Sequence, residues 1–340
     1  MLKSRRFWIG LGISLIFLFL FFYRTDFSET GKELGKANYL FILPGILIYL
    51  VGVFFRSVRW QYLLKPLGSF SSLRLFPLVV IGFMVNNILP ARLGIVARAY
   101  ILGEKEHVSK MAAGGTMVVE QVFDGVTLLL FAAIISIFVP LEGMLQKAVY
   151  VAAGLFLGAL VICLVLASSQ RLAQRAIALL LHLLPKRWRG RVERWLILLI
   201  DGLGIMRSPG KLLVVLMISM LVWLCEAGMF YMVGFSFDLG QPFHVYLLAA
   251  SISNLAWALL MTPGGLGSFD YFCQQTLTYF GVAGAIATSY VVVLHAVILL
   301  PMIALGFVFL WLENVSLTKI TPQEKSAQDV EHAPGKRGEE

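Results

Sequence analysis

Residues 86–98 read Asn-Asn-Ile-Leu-Pro-Ala-Arg-Leu-Gly-Ile-Val-Ala-Arg, setting two amides and two arginines inside a stretch that is otherwise lipid-soluble. Asn86, Asn87, Arg92 and Arg98 could hold an anion there, the amides by hydrogen bonds and the guanidiniums by charge and a planar fork of donors. A central arginine costs at least ~2.5–3.5 kcal/mol to insert, so it comes with a partner or a task. Pro90 and Gly94 both interrupt a continuous helix. Broken backbone at membrane depth is tolerated only against protein or a wet cavity. The competing reading is a short cytoplasmic turn whose arginines snorkel to headgroups.

A second interruption, Thr262-Pro263-Gly264-Gly265-Leu266-Gly267-Ser268, has Asp270 in the turn that follows. At both breaks a returning helix starts just afterwards, at Ala91 and near Ser268. Free N–H groups and a positive dipole end then point inward, an arrangement that binds anions. Gly264 and Gly265 are therefore candidate contacts, against the plainer reading of an outer loop. Asp270 either steadies the helix dipole or lines a cavity and takes a cation or amino headgroup. Glu120 and Asp124 stand four apart, hence on one helical face. Unpaired they would be costly, so ion pairs to Arg92 or Arg98 are expected, either as a locked structure or as a functional pair, in which substrate phosphate competes for the arginines or a carboxylate takes up a proton during transport. Glu226 is a lone acid one turn from Trp223 and Phe230. Asn254 reads as a helix–helix hydrogen bond, and His244 and His295 as interface or packing residues.

The elements that must position these groups are membrane helices. Of 340 residues 59% are hydrophobic and 14% charged, which marks an all-α polytopic membrane protein rather than a soluble domain. The net charge of +9 invites nucleic acid as a partner. The basic residues instead sit in short loops beside apolar spans, so no nucleic-acid contact is expected. Cys163, Cys225 and Cys273 lie in apolar surroundings and form no disulfide or CxxC pattern. There is no HExxH, P-loop, GxGxxG or GxSxG motif, so the expectation is of no catalytic residues, no metal, no cofactor and no enzyme.

About six full spans are expected, over residues 7–23, 39–55, 111–139, 145–167, 211–235 and 285–312. The arm 91–102 covers only ~18 Å of a ~30 Å core, so 73–105 reads as a re-entrant hairpin with Pro90 at its tip. Residues 24–38 read as an outer loop. Placing both termini in the cytoplasm puts 22 of the 28 Lys and Arg inside and four outside, with Arg92 and Arg98 in the hairpin. Residues 243–280 must then enter and leave on the outer side, as a second re-entrant hairpin. Span, broken hairpin, long span occurs twice, over 39–139 and 211–312, as an inverted repeat of the kind that frames transporter sites. Both tips are expected to meet in one cavity with Arg92, Arg98 and Asp270. Residues 1–312 form one membrane domain. Within it, 168–210 carries a basic amphipathic helix that binds anionic inner-leaflet lipids, and 313–340 is a disordered cytoplasmic tail.

Four groups of residues resemble the lysylphosphatidylglycerol synthase transmembrane family, the flippase-like polytopic proteins. They are Arg59-Trp60 with Leu63-Leu64, Pro90-Ala91-Arg92-Leu93-Gly94 with Arg98, Glu120 with Asp124, and Pro263-Gly264-Gly265-Leu266-Gly267 with Asp270. Together they span roughly 56–312. Three positions depart from the family pattern: Ile95 where an acid is usual, Gln121 where arginine is usual, and Asp270 where glutamate is usual. The resemblance implies translocation of an anionic phospholipid or a polyprenyl-phosphate-linked substrate across the cell membrane. The soluble aminoacyl-transferring domain would follow the membrane part. Only 28 residues follow it here, so aminoacyl-lipid synthesis is not expected. The alternatives are a non-transporting accessory subunit of a lipid-modifying or glycosyl-transferring enzyme, and a membrane-embedded transferase or phosphatase using Glu120 and Asp124 as acid and base. A homo-oligomer, or a separate lipid-modifying enzyme as partner, is left open.

Overall fold

The computed structural model describes residues 5–23, 25–89, 93–139, 141–182, 208–260 and 262–314, with four isolated positions between 190 and 197. All regular structure among them is helical. Hydrocarbon offers no partner to a backbone amide, and the helix pairs every such group within one segment. The helices are α1 (Arg5–Phe22), α2 (Phe27–Lys36), α3 (Ile42–Leu64), α4 (Ser72–Ile88), α5 (Gly94–Glu106) and α6 (Lys110–Phe138). They continue as α7 (Gly143–Ser168), α8 (Gln170–His182), α9 (Pro209–Ser236), α10 (Phe243–Leu260), α11 (Ser268–Tyr279) and α12 (Gly284–Leu312).

Six helical stretches are long and apolar enough to cross a bilayer: Tyr39–Leu64, Lys110–Phe138, Gly143–Leu166, Gly210–Ser236, Phe243–Leu260 and Gly284–Leu312. A seventh arises if α1 and α2, bent 83° apart, count as one span. The chain is an all-α polytopic membrane protein. The 13 residues of α5 and the 12 of α11 reach only ~20 Å and ~18 Å, too short to cross a ~30 Å core alone. Each instead folds back on the helix before it, α5 on α4 and α11 on α10.

Helix α3 packs along α9 more extensively than any other pair. Small residues permit it: a Cβ on Gly52 would stand 3.0 Å from Cys225 Cβ, and one on Gly228 3.2 Å from Ile48 Cγ2. Around this axis the contacts come in matched sets. Helix α4 packs on α12 and α10 on α6; α5 packs on α6 and α11 on α12; α3 touches α12 and α9 touches α6. Helix α7 packs on α6 and α10, and turns Tyr150, Val151, Leu155, Val161 and Ile162 outward as a lipid-facing surface.

Two expectations are corrected here. Residues 27–36 are not loop but the amphipathic helix α2, capped by Asp26, whose carboxylate accepts from the Ser28 and Glu29 amides at 2.9 and 3.0 Å. It docks on α12, where the Ser289 hydroxyl donates to the Thr30 carbonyl at 3.0 Å. Helix α3 does not end at Phe55 but runs to Leu64, so Arg56 and Arg59 lie inside it and not on a cytoplasmic flank. Of the expected basic segment, α8 covers Gln170–His182, and most of the remainder lies outside the described residues, as does 315–340 of the expected tail.

Candidate functional site

Arginines three apart on α3, Arg56 and Arg59, share a helical face with Tyr49 and Gly52 and meet the face of α6 that carries Glu120 and Asp124. Arg59 is fully buried; its Nη1 donates to Asp124 Oδ1 at 2.6 Å and its Nη2 to Asp124 Oδ2 at 3.1 Å. The same Nη2 lies 3.2 Å from Glu120 Oε1, and Nη1 also donates to Ser219 Oγ at 2.8 Å. Arg98, from α5, grips Glu120 with both prongs at 3.1 and 3.0 Å. Arg56 reaches Glu226 Oε2 at 2.8 Å and Asp124 Oδ2 at 3.5 Å. Trp223 Nε1 donates to Asp124 Oδ1 and Asn254 Nδ2 to Glu226 Oε1, both at 2.9 Å.

Three guanidiniums thus face three carboxylates, drawn from α3, α5, α6 and α9. The forked geometry and the extra donors are what let so many charges leave water together. Aromatic faces cover the cations: Arg98 lies 4.1 Å above the Trp60 ring, and Arg56 4.8 Å from that of Trp223.

How Arg98 gets there is set by two glycines. A Cβ on Gly82 would lie 2.6 Å from Arg98 Cδ, and one on Gly94 only 2.1 Å from the Gly82 carbonyl oxygen. The arms of the first hairpin therefore close to backbone contact, and the arginine stem passes across Gly82. Asn86 caps the returning arm, its Oδ1 accepting from the Gly94 amide at 2.8 Å. The second break is a tight turn, Pro263–Gly265, with Gly264 at φ +59° and Gly267 at φ +85°. Its tip touches the first: a Cβ on Gly264 would sit 3.1 Å from the Asn87 carbonyl oxygen.

Between the tips and the network lies a cavity of about 1040 Å3, its open mouth included. Asn86, Asn87, Gly94 and Arg98 line it from the first hairpin, and Gly264 and Phe269 from the second. Arg56, Glu120, Asp124, Glu226, Asn254 and His295 complete its polar wall. Among the described residues, two buried donors there have no protein partner, Arg98 Nε and Asn87 Nδ2. Glu120 accepts from Arg98 and meets Arg59, and Asp124 accepts from Arg56, Arg59 and Trp223.

The second tip has its own fastening. Asp270, in the first turn of α11, accepts at Oδ2 from the Gly267 amide at 2.8 Å and so ties the start of the helix back to the turn. Its Oδ1 meets His295 Nδ1 in a short contact, and His295 Nε2 faces the Gly264 carbonyl oxygen at 3.0 Å. Trp257 Nε1 donates to the Thr262 carbonyl at 3.0 Å. From α1, Ser14 Oγ donates to the Leu266 carbonyl at 2.8 Å.

The lysylphosphatidylglycerol synthase TM region matches residues 7–306, nearly the whole of this helical unit. The chain belongs to that family. Glycosyltransferase AglD of Haloferax volcanii is 24% identical over 357 aligned positions, covering 95% of this chain and 57% of that protein. The UPF0104 membrane protein MJ1595 of Methanocaldococcus jannaschii is 30% identical over 126 positions, 36% of this chain and 38% of that one. A UPF0104 membrane protein of Methanothermobacter thermautotrophicus is 25% identical over 298 positions, 83% of this chain and 86% of that one. The chain spans little more than half the length of AglD. No solved structure matches.

Of the candidate site residues in this family member, Asn86, Asn87, Arg98, Glu120, Asp124 and Gly264 line the cavity together. Arg92 lies outside the described residues. Gly265 stands behind the tip, against Trp257 and Phe269. Asp270 is not in the wall either; His295 stands between it and the cavity. Glu120 pairs with Arg98 as expected and meets Arg59 as well, but Asp124 turns to Arg56 and Arg59, which reading the sequence left on the flank. The signal that could have found them was the apolar run Trp60 to Leu64 beyond, which keeps α3 going. His295, read as packing, proved a polar anchor.

Proposed function

We propose that this protein is a transporter that moves an anionic phospholipid or a polyprenyl-phosphate-linked lipid between leaflets. One observation carries the reading: two interrupted helices bring their broken ends to one cavity in which Arg98 keeps a buried donor, Nε, unmatched among the described residues. A phosphate oxygen supplies the acceptor that Nε and Asn87 Nδ2 lack, and can compete with Glu120 for the forked guanidinium. The membrane region of a lipid-modifying family, with the described carboxylates of the cavity wall held by guanidiniums, fits binding and passage better than bond making. The matched helix contacts support two inverted repeats, 39–139 and 211–312, whose relative rocking would expose the cavity to each side in turn. The charge distribution supports cytoplasmic termini in the cell membrane, with the basic α8 segment on the anionic inner leaflet.

The test is movement of fluorescent phosphatidylglycerol and of a polyprenyl phosphate across vesicles containing the purified protein. Arg98→Ala abolishes movement in this reading, and Arg98→Lys restores only part, because lysine lacks the planar fork. Wild-type rates in both variants would refute it.

A second reading draws on the similarity to a protein named a glycosyltransferase along 95% of this chain. In it the cavity presents a lipid-linked sugar to a glycosyl-transferring partner and moves nothing. Sugar transfer by such a partner that depends on Arg98, with no lipid movement in vesicles, would favour that reading.

A further inference from the structure

We propose that Asp270 and His295 form a proton-binding site that latches the tip of the second hairpin to α12, and that opening the tip releases the proton. The inference rests on counting protons at observed contacts. His295 faces acceptors at both ring nitrogens: a carbonyl oxygen at Nε2 and a carboxylate oxygen at Nδ1. A carbonyl never donates, so Nε2 carries a hydrogen. The short Nδ1 to Oδ1 contact holds a second hydrogen, whether it resides on nitrogen or oxygen. Asp270 Oδ2 is taken by the Gly267 amide and needs none. The latched pair therefore holds two protons and no net charge. A separated aspartate and neutral imidazole hold one proton between them. If that proton is lost in place, two lone pairs face each other, at Gly264 or at Asp270, and one strap of the latch repels.

The surroundings leave this pair in charge of its own titration. Along α11 the nearest titratable groups are Tyr271, the next residue, whose ring meets those of Phe17 and Phe272 edge-on, and Cys273, one turn on and buried. On α12, Tyr290 spends its hydroxyl on the Phe230 carbonyl at 2.9 Å. The stretch of α4 that packs on α12 carries no ionisable side chain from Leu75 to Ile88. Helix α2 meets α12 at Ser289, six residues before His295, and α1 offers the hydroxyl of Ser14 to the tip. From α3, Tyr49 shares the cavity wall, and across it the described guanidiniums and carboxylates are paired with one another.

The latch sits where it matters to the transport reading, on which its role in a cycle rests. Gly264, whose carbonyl His295 holds, is the residue that touches Asn87 of the first tip. Separation of the tips is thereby tied to one proton, which leaves to water on the side that opens.

The deciding variant is Asp270→Asn. Its amide can donate to the neutral imidazole and its carbonyl oxygen can accept from Gly267, so both straps close without the titrating proton. The measurement is amide hydrogen exchange of residues 262–272 in protein held in lipid nanodiscs, between about pH 5 and pH 9, with the intrinsic pH dependence of exchange divided out. Wild-type exchange is expected to be slow at low pH and to rise up to ~tenfold per pH unit above the transition, the slope of a single proton. Asp270→Asn should stay slow throughout, and His295→Gln fast throughout. A flat wild-type profile, or either variant following the wild-type curve, would overturn the site. Fluorescent phosphatidylglycerol in vesicles with an imposed pH gradient separates the two readings. Switching exchange without lipid movement sinks transport and keeps the proton site; lipid movement with flat exchange sinks the proton site alone.

Discussion

The two broken hairpins solve the same backbone problem with different chemistry. In the first, a side-chain amide stands in for the missing helical acceptor, Asn86 capping Gly94, and a cation lies across glycine to reach Glu120. In the second, three glycines at positive φ make the turn, and an acid, Asp270, caps the helix that leaves it. The first hairpin is thus bound into a dense ionic network through Arg98 on its returning arm, while the second tip hangs on a few hydrogen bonds. Depth of anchoring, and not sequence likeness, distinguishes them: one is built to hold and the other to let go.

The sharpest way to break this contrast is at the network. Arg59→Ala takes the closest cation from Asp124, leaving it Arg56 at 3.5 Å, and leaves Glu120 to Arg98 alone; removing one partner of a buried pair costs ~3–5 kcal/mol. We expect loss of the folded protein, read as a collapse of monodisperse yield and of melting temperature in detergent. Next comes Gly264→Ala, which forces a Cβ into left-handed backbone beside the Asn87 carbonyl, at ~1–2 kcal/mol. It should lower the melting temperature moderately and push the tips apart, detectable as faster labelling of a cysteine placed at Leu266. The smallest effect expected is that of Asn86→Ala, the loss of a cap worth ~0.5–2 kcal/mol. Melting should shift by a few degrees, and exchange should quicken at Gly94 and the amides after it but not at the second tip. Equal loosening of both tips by Asn86→Ala would show that they are one cooperative unit.

Much of this was legible in the sequence because lipid leaves few options. Pro90, Gly94 and the Pro263 glycine run announce breaks, and the charge-poor stretches between basic loops announce helices. Glu120 and Asp124, four apart in an apolar run, had to find cations. What escaped was where those cations lie. Arg56 and Arg59 look like an ordinary positive flank, and only packing of α3 along α9 shows that they are enclosed. His295 escaped for the same reason: a lone histidine in an apolar helix acquires meaning only when Asp270 and Gly264 are brought to it from another segment. Residues 27–36 were misread because a short helix of mixed charge has too little apolar content to stand out from a loop.

The balance of three arginines against three carboxylates has an electrical consequence. One elementary charge crossing a membrane potential of ~100 mV exchanges ~2.3 kcal/mol with the field. Because the described charges of the network cancel once Arg59, behind the cavity wall, is counted, as do Asp270 and His295 while latched, tilting these groups through the field exchanges almost nothing with it. In the transport reading, an empty carrier whose moving charges are those of the described network would return at the same rate in a polarised cell and in a short-circuited one. Voltage would then act on the loaded step alone, in proportion to the net charge of the lipid it carries.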